Sequence, residues 1–256
     1  MLENVVGAQL YTCREYCQTI EGVRETLETV AKIGYKNVQV SGFGPVDQKE
    51  VIRILDDNGL TVVSTHENWD RLMKDLDAVI AEYQAYGGVH MAIGGIFRGY
   101  EGLDGVKRFG EDLAPIAEKL ATVGMDFSYH NHNHEFAKHD GKLWLEALYE
   151  WIPADMLKAE IDTYWVQAGG ADPALWVEKM AGREPLLHLK DMAVTPEREQ
   201  RFAEIGEGNL NWERILEVAA RCGVEYYLVE QDRTYDRTPY ESLEISYRNL
   251  KAMGLS

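Results

Sequence analysis

Residues Asn37 to His66 read NVQVSGFGPVDQKEVIRILDDNGLTVVSTH, and this stretch contains one complete unit of the fold. NVQV (Asn37 to Val40) is a short β-rich run. From Gln48 to Asp57, Val51, Ile54 and Leu55 recur at helical spacing, and Asn58-Gly59 supplies the stop signal. TVVSTH (Thr61 to His66) then opens a second strand. Strand, helix, strand with no hairpin turn between them is the pattern of parallel strands joined by a helical crossover.

The same rhythm extends outward in both directions. Upstream lie GAQLYT (Gly7 to Thr12) and a helical pattern from Ile20 to Ile33 that ends at Gly34. Downstream come a helix over Trp69 to Tyr86, the strand HMAIGG (His90 to Gly95), and a helix from Leu103 to Val123 ending at Gly124. The second half repeats the order. DFSYHNH (Asp126 to His132) precedes a helix over Lys142 to Trp151, and LKAEID (Leu157 to Asp162) precedes a helix opened by Asp172-Pro173. EPLLHLKD (Glu184 to Asp191) is followed by a polar loop and a helix from Asn211 to Arg221. YYLVEQD (Tyr226 to Asp232) leads into a last helix over Pro239 to Met253. Eight strand–helix units without a Pro/Gly/Ser linker predict a single (β/α)8 TIM barrel spanning residues 1–256, and a chain of 256 residues has the length such a barrel needs. An open dinucleotide-binding sheet would carry G-x-G-x-x-G after its first strand, where this chain has Cys13-Arg14-Glu15-Tyr16.

Composition narrows the partners. Lys plus Arg total 26 against 43 Asp plus Glu, a formal net charge of −17. Neither a nucleic-acid partner nor an anionic membrane surface suits a chain this acidic. Cys13, Cys17 and Cys222 are too few for a disulfide framework, and no second pair completes a zinc site. Without an apolar run near ~20 residues or a basic-then-apolar leader, a soluble, cytoplasmic protein is expected.

In a barrel of this class the chemistry sits where strands end and βα loops begin. Five strand ends here are polar: His66 with Glu67 and Asn68; the run YHNHNHEF from Tyr129 to Phe136; Glu160-Ile161-Asp162; His188-Leu189-Lys190-Asp191; and Glu230-Gln231-Asp232. Alternation along a strand puts His130 with His132, Glu160 with Asp162, and His188 with Lys190. Carboxylates and neutral imidazoles on one rim suit a divalent ion. Mn²⁺, Mg²⁺ and Co²⁺ accept such mixed ligands, and Zn²⁺ accepts fewer of them. Read singly, each group has a plain alternative: the histidine run as a polar loop, Asp162 as a loop cap, Lys190 and Asp191 as a solvated pair. Their joint occurrence at successive strand ends favours a site. His90 stands alone and is left out of it.

With YHNHNHEF, the Asp162 strand end, HLKD at His188 to Asp191 and VEQD at Val229 to Asp232, the chain resembles the sugar phosphate isomerase/epimerase family, whose barrel is xylose isomerase-like. The resemblance covers essentially the whole chain. It implies a divalent metal, most often Mn²⁺, held by Glu135, Asp162, His188 and Glu230. Glu135 is out of step with the His130/His132 alternation, so the loop must turn it inward; otherwise His132 or His134 replaces it. The resemblance also implies a small-molecule sugar or keto-sugar as substrate, and assembly as a homo-oligomer or with a partner subunit.

The expected reaction is proton removal beside a carbonyl through an enediolate, giving an epimer or an isomer. Glu135 and Glu230 would serve as ligand and base, while His66, His132 and Lys190 would polarise or protonate oxygens. Trp165 and Tyr11 are candidates for stacking on a sugar ring, with His66, as substrate-binding residues. Loss of a β-substituent from the same enediolate would make the protein a lyase of the dehydratase or C-glycoside-cleaving kind. Arg98 and Arg233 lack a glycine-rich phosphate cradle, so an unphosphorylated sugar or polyol-like ketone is favoured. A nuclease of the same superfamily would need a basic face and more dispersed histidines. A non-catalytic sugar-binding barrel is the remaining rival, with the acidic loop from Val194 to Gly208 either closing over the site or docking a second chain.

Overall fold

The computed structural model describes residues 2–96 and 99–256. Its strands are β1 (Val6–Gln9), β2 (Asn37–Val40), β3 (Thr61–His66), β4 (His90–Ile93), β5 (Asp126–His130), β6 (Lys138–His139), β7 (Lys142–Leu143), β8 (Lys158–Asp162), β9 (Leu186–Leu189), β10 (Asp191–Val194), β11 (Gln200–Ala203) and β12 (Tyr226–Val229). The helices are α1 (Ile20–Ile33), α2 (Gln48–Asp57), α3 (Trp69–Tyr86), α4 (Gly102–Thr122), α5 (Trp144–Trp151), α6 (Thr163–Ala168), α7 (Pro173–Lys179), α8 (Trp212–Cys222) and α9 (Pro239–Ala252). Eight strands close into a parallel barrel in the order β1-β12-β9-β8-β5-β4-β3-β2. β6 with β7, and β10 with β11, form two small antiparallel hairpins outside it.

The local rules behind these elements are visible in their caps. Thr19, Asp47, Asn68, Asp172 and Asn211 each accept a backbone N–H of the first turn of α1, α2, α3, α7 and α8. Thr238 and Glu241 make a reciprocal capping box on α9. Gly34 ends α1 at φ 128°, a conformation that a side chain resists. Buried faces such as Val23, Leu27 and Val30 on α1, or Val106, Phe109, Leu113 and Leu120 on α4, pack against the outward residues of the strands. This shell of apolar packing outside the barrel supplies most of the stabilising burial.

The barrel interior is different. Gln9, Gln39, Ser64, His130, Glu160, Asp162 and His188 are all buried there. A polar interior survives only where each group finds a partner, and most of these do. Several strands end earlier than their sequence runs implied. β1 gives way at Leu10 to a 3-10 turn because the Gln9 side chain accepts the backbone N–H of Tyr11. β5 stops at His130, β9 at Leu189 and β12 at Val229, so Asn131 and His132, Lys190, and Glu230 to Asp232 lie beyond the strand ends, while Asp191 opens β10.

Candidate metal centre

The register of the neighbouring strands fixes who meets whom. His130 lies opposite Glu160, Asp162 opposite His188, and His188 opposite Leu228, two residues before Glu230. His130, Asp162, His188 and Glu230 present one donor atom each within 4.8 Å of one another. His188 Nδ1 is 2.9 Å from Glu230 Oε2, and His130 Nε2 is 3.8 Å from Asp162 Oδ2. Asp162 divides its work: Oδ1 caps α6 by accepting the N–H of Trp165 at 2.9 Å, which leaves Oδ2 for the site. Asp162 thus caps α6 with one oxygen and turns the other into the cluster.

Lys190 reaches the same place from just beyond β9. Its ammonium is 1% exposed and stands 3.0 Å from Asp162 Oδ2, 3.0 Å from Glu230 Oε2 and 2.8 Å from Asp232 Oδ2. The rings of Trp165 and Phe202 lie 5.5 and 5.8 Å away. Asp191 is buried as well and accepts the N–H groups of Gly206, Gly208 and the Trp212 indole. Lys190 and Asp191 are therefore not a solvated pair.

Beneath this group sits Glu160, with no exposed surface. Its Oε1 is 2.5 Å from His66 Nε2, 2.9 Å from His188 Nε2 and 3.5 Å from His130 Nδ1, and its Oε2 accepts from Gln39 Nε2 at 2.9 Å. His66 stacks on His188 with ring centres 5.3 Å apart.

Burial and charge compete at every one of these groups. Burial opposes the charge on Glu160, but His188 and His66 outweigh it and hold the carboxyl well below the usual range. Burial likewise opposes the charge on Glu230, and Lys190 and His188 overcome it, so Glu230 also lies well below. For Asp162 burial wins over Lys190, and its carboxyl is pushed up to about 6. His188 would lose its proton on burial alone; Glu160 and Glu230 push it up to about 10. Lys190 is kept well above its ordinary value by Asp162, Glu230 and Asp232 despite burial. Burial and Lys190 bring His132 down to about 3, so its ring is neutral at pH 7.

Glu135 stands elsewhere. It lies on a 3-10 turn (His134–Phe136), where Oε1 accepts the Tyr129 hydroxyl at 2.8 Å and Oε2 accepts the backbone N–H of His132 at 2.9 Å. Tyr129 points outward from β5 and packs on Trp144 and Phe109, so its hydroxyl draws Glu135 to the outer side of the strand. Glu135 groups with His132 and His134, apart from Asp162, His188 and Glu230, and His130 takes the fourth place beside those three. Its carboxyl is pushed up to about 7 by burial and borders a cavity of about 240 Å³ lined also by Tyr100 and Trp144.

The remaining candidates are spread around the rim. Trp165 packs on His132 with centres 5.3 Å apart, and its buried indole N–H has no hydrogen bond among the described residues. Tyr11 is 37% exposed and carries the Arg14 guanidinium 4.4 Å over its ring. Arg233 edges an open cavity of about 470 Å³ with Arg14 and Arg237, and Arg98 lies outside the described residues. His90 is at the opposite end of the barrel, paired with Asp126 at 3.0 Å. The stretch from Val194 to Gly208 is partly ordered as the β10–β11 hairpin. Phe202 stacks on Tyr164 at 4.2 Å and meets Trp165 edge-on, covering Lys190. Its polar surroundings in the sequence carry no signal of that role.

The donor set suits a divalent cation. Two carboxylates and two imidazoles are a mixed oxygen and nitrogen shell, with one donor atom from each within 4.8 Å of the others. No helix among the described residues is long and apolar enough to cross a membrane.

Residues 27–241 match the family model of the xylose isomerase-like TIM barrel. Among solved structures, a sugar phosphate isomerase/epimerase from Parabacteroides distasonis is similar at 24% identity, with 98% of this chain and 95% of that chain covered and a TM-score of 0.81. An L-ribulose 3-epimerase is similar at 18% identity, TM-score 0.75, covering 99% and 94%. A D-allulose 3-epimerase from Methylomonas sp. is similar at 13% identity, TM-score 0.67, covering 97% and 96%. No curated protein matches the sequence significantly.

Proposed function

Because the chain belongs to the xylose isomerase-like TIM-barrel family, we propose that it is a divalent-metal-dependent sugar isomerase or epimerase acting on an unphosphorylated sugar, keto-sugar or polyol-like ketone. The observation that carries this reading is the convergence of His130, Asp162, His188 and Glu230 beside the buried ammonium of Lys190. These four residues would hold the ion; the mixed donors accept Mn²⁺, Mg²⁺, Co²⁺ or Zn²⁺, and Mn²⁺ is the ion the family resemblance implies. When bound, the ion supplies Lewis-acid polarisation of the substrate carbonyl and charge stabilisation of the adjoining oxygen.

The rest falls to side chains. Glu230 is kept ionised and takes the proton from the carbon next to the carbonyl. Lys190 offers an ammonium to the oxygen on which negative charge develops. The neutral His132 ring, packed on Trp165, would polarise a substrate oxygen, and the proton held on Glu230 is returned from it to carbon. Glu135 braces His132 by accepting its backbone N–H, behind the residues that meet substrate. Trp165 offers a ring face and a free N–H to a sugar, His66 borders the site from below, and Tyr11 lines the outer rim. The Phe202 hairpin excludes water.

Product analysis tests the proposal. The protein, stripped and reloaded with Mn²⁺, is incubated with a panel of unphosphorylated ketoses and 3-keto-glycosides, and products are resolved by chromatography. We expect an epimer or isomer of one class, and at least ~10³-fold slower conversion by Glu230→Gln, the scale on which catalytic acid–base groups act. An unsaturated product would assign the lyase reading instead. No conversion across the panel would contradict the proposal.

A further inference from the structure

Glu160 and Asp162 alternate along β8, so both point into the barrel, one layer apart. His188 spans the two layers. Its Nε2 meets Glu160 Oε1 at 2.9 Å and Gln39 Oε1 at 2.7 Å, while Nδ1 meets Glu230 Oε2 at 2.9 Å. His130 spans them in the opposite sense, with Nδ1 3.5 Å from the same Glu160 oxygen and Nε2 facing Asp162 at 3.8 Å. Each imidazole thus has one nitrogen below, toward Glu160, and one above, toward the carboxylates of the proposed ion site. Glu160 is itself fixed, because Gln39 Nε2 donates to its other oxygen and Gln39 is held by Gln9 and Ser64.

We propose that Glu160 is the positioning residue of the centre. Its carboxylate charge, 2.9 Å from His188 Nε2 and 3.5 Å from His130 Nδ1, draws the proton of each ring to the lower nitrogen and so leaves His188 Nδ1 and His130 Nε2 as the ligands. A carboxylate behind an imidazole ligand orients the ring and raises its basicity. Here one carboxylate serves both rings, and His66, bonded to the same oxygen at 2.5 Å, closes the layer from the β3 side. The inference rests on the metal-dependent reading above and assigns a task to an acid that touches neither substrate nor ion.

Calorimetric titration with Mn²⁺ and Zn²⁺ tests it on wild type, Glu160→Gln and Asp162→Asn, with circular dichroism to confirm folding. We expect one ion per wild-type chain, 10- to 100-fold weaker binding by Glu160→Gln, and near-complete loss in Asp162→Asn. Should Glu160→Gln fail to fold, the ring nitrogens of the ¹⁵N-histidine wild type loaded with Zn²⁺ decide the matter. The expected pattern is a proton on His188 Nε2 and on His130 Nδ1. Unchanged affinity in Glu160→Gln, or the opposite tautomers, would overturn the positioning role while leaving the metal centre standing. A second ion per chain that disappears in Glu160→Gln would make Glu160 a ligand and also overturn it. No ion in the wild type would overturn both this role and the metal-dependent reading.

Discussion

Lys190 has 1% of its surface exposed, and its charge is carried by Asp162, Glu230 and Asp232 at 2.8 to 3.0 Å. His90, at the far end of the barrel, shows the same balance on a smaller scale. Burial opposes its charged form, but the hydrogen bond and charge of Asp126, with Glu225 beyond, raise it above the ordinary 6.5. The imidazolium pair therefore contributes fully below pH 6.5 and is lost as pH rises through the raised folded value. In denaturant titrations, His90→Gln is expected to be on the order of 1–2 kcal/mol less stable than wild type at pH 6, with the gap closing by pH 9. An equal gap at both pH values would contradict the assignment. At this scale the sequence was informative where strand alternation applies: Asp162, His188, Lys190 and Glu230 could be placed on one rim by counting. Glu135 could not, because a 3-10 turn and the Tyr129 hydroxyl decide its direction, and neither is written in a strand period. Glu160 was visible as the residue two before Asp162, but its three imidazole neighbours come from β3, β5 and β9 and needed the closed barrel to meet.

Among the elements, the β10–β11 hairpin depends on one buried side chain. Asp191 accepts from the N–H groups of Met192 (2.8 Å), Gly206 (2.9 Å), Gly208 (3.1 Å) and Leu210 (3.3 Å), and from the Trp212 indole (2.7 Å). It ties the start of the hairpin to its return and to the first turn of α8. Asp191→Ala leaves these donors without their acceptor and is expected to cost about 3–5 kcal/mol, with faster amide exchange across residues 204–212. Exchange unchanged from wild type would show that the loop does not hang on Asp191. α1, α2 and α3 fall on the residues that periodicity and stop signals marked, since amphipathic spacing, Asn or Gly stops and polar caps are local features. The hairpin itself reads in the sequence as a polar loop, because its pairing and the contact of Phe202 with Tyr164 are tertiary.

Across the molecule, the eight-fold strand–helix rhythm matches the closed parallel barrel, since parallel neighbours need a crossover helix and eight such units close the ring. The barrel divides labour: apolar packing lies between strands and helices, and an unusually polar interior leads up to the centre. The most direct measurement of the central claim is solvent exchange in D₂O. Wild-type protein with Mn²⁺ is incubated with its ketose substrate, and deuterium at each carbon is read by NMR. The account predicts incorporation at a carbon adjoining the carbonyl, abolished by chelation and by Asp162→Asn, and restored to wild type by Mn²⁺. Product formed with no solvent deuterium at that carbon, or incorporation indifferent to chelation, would contradict it.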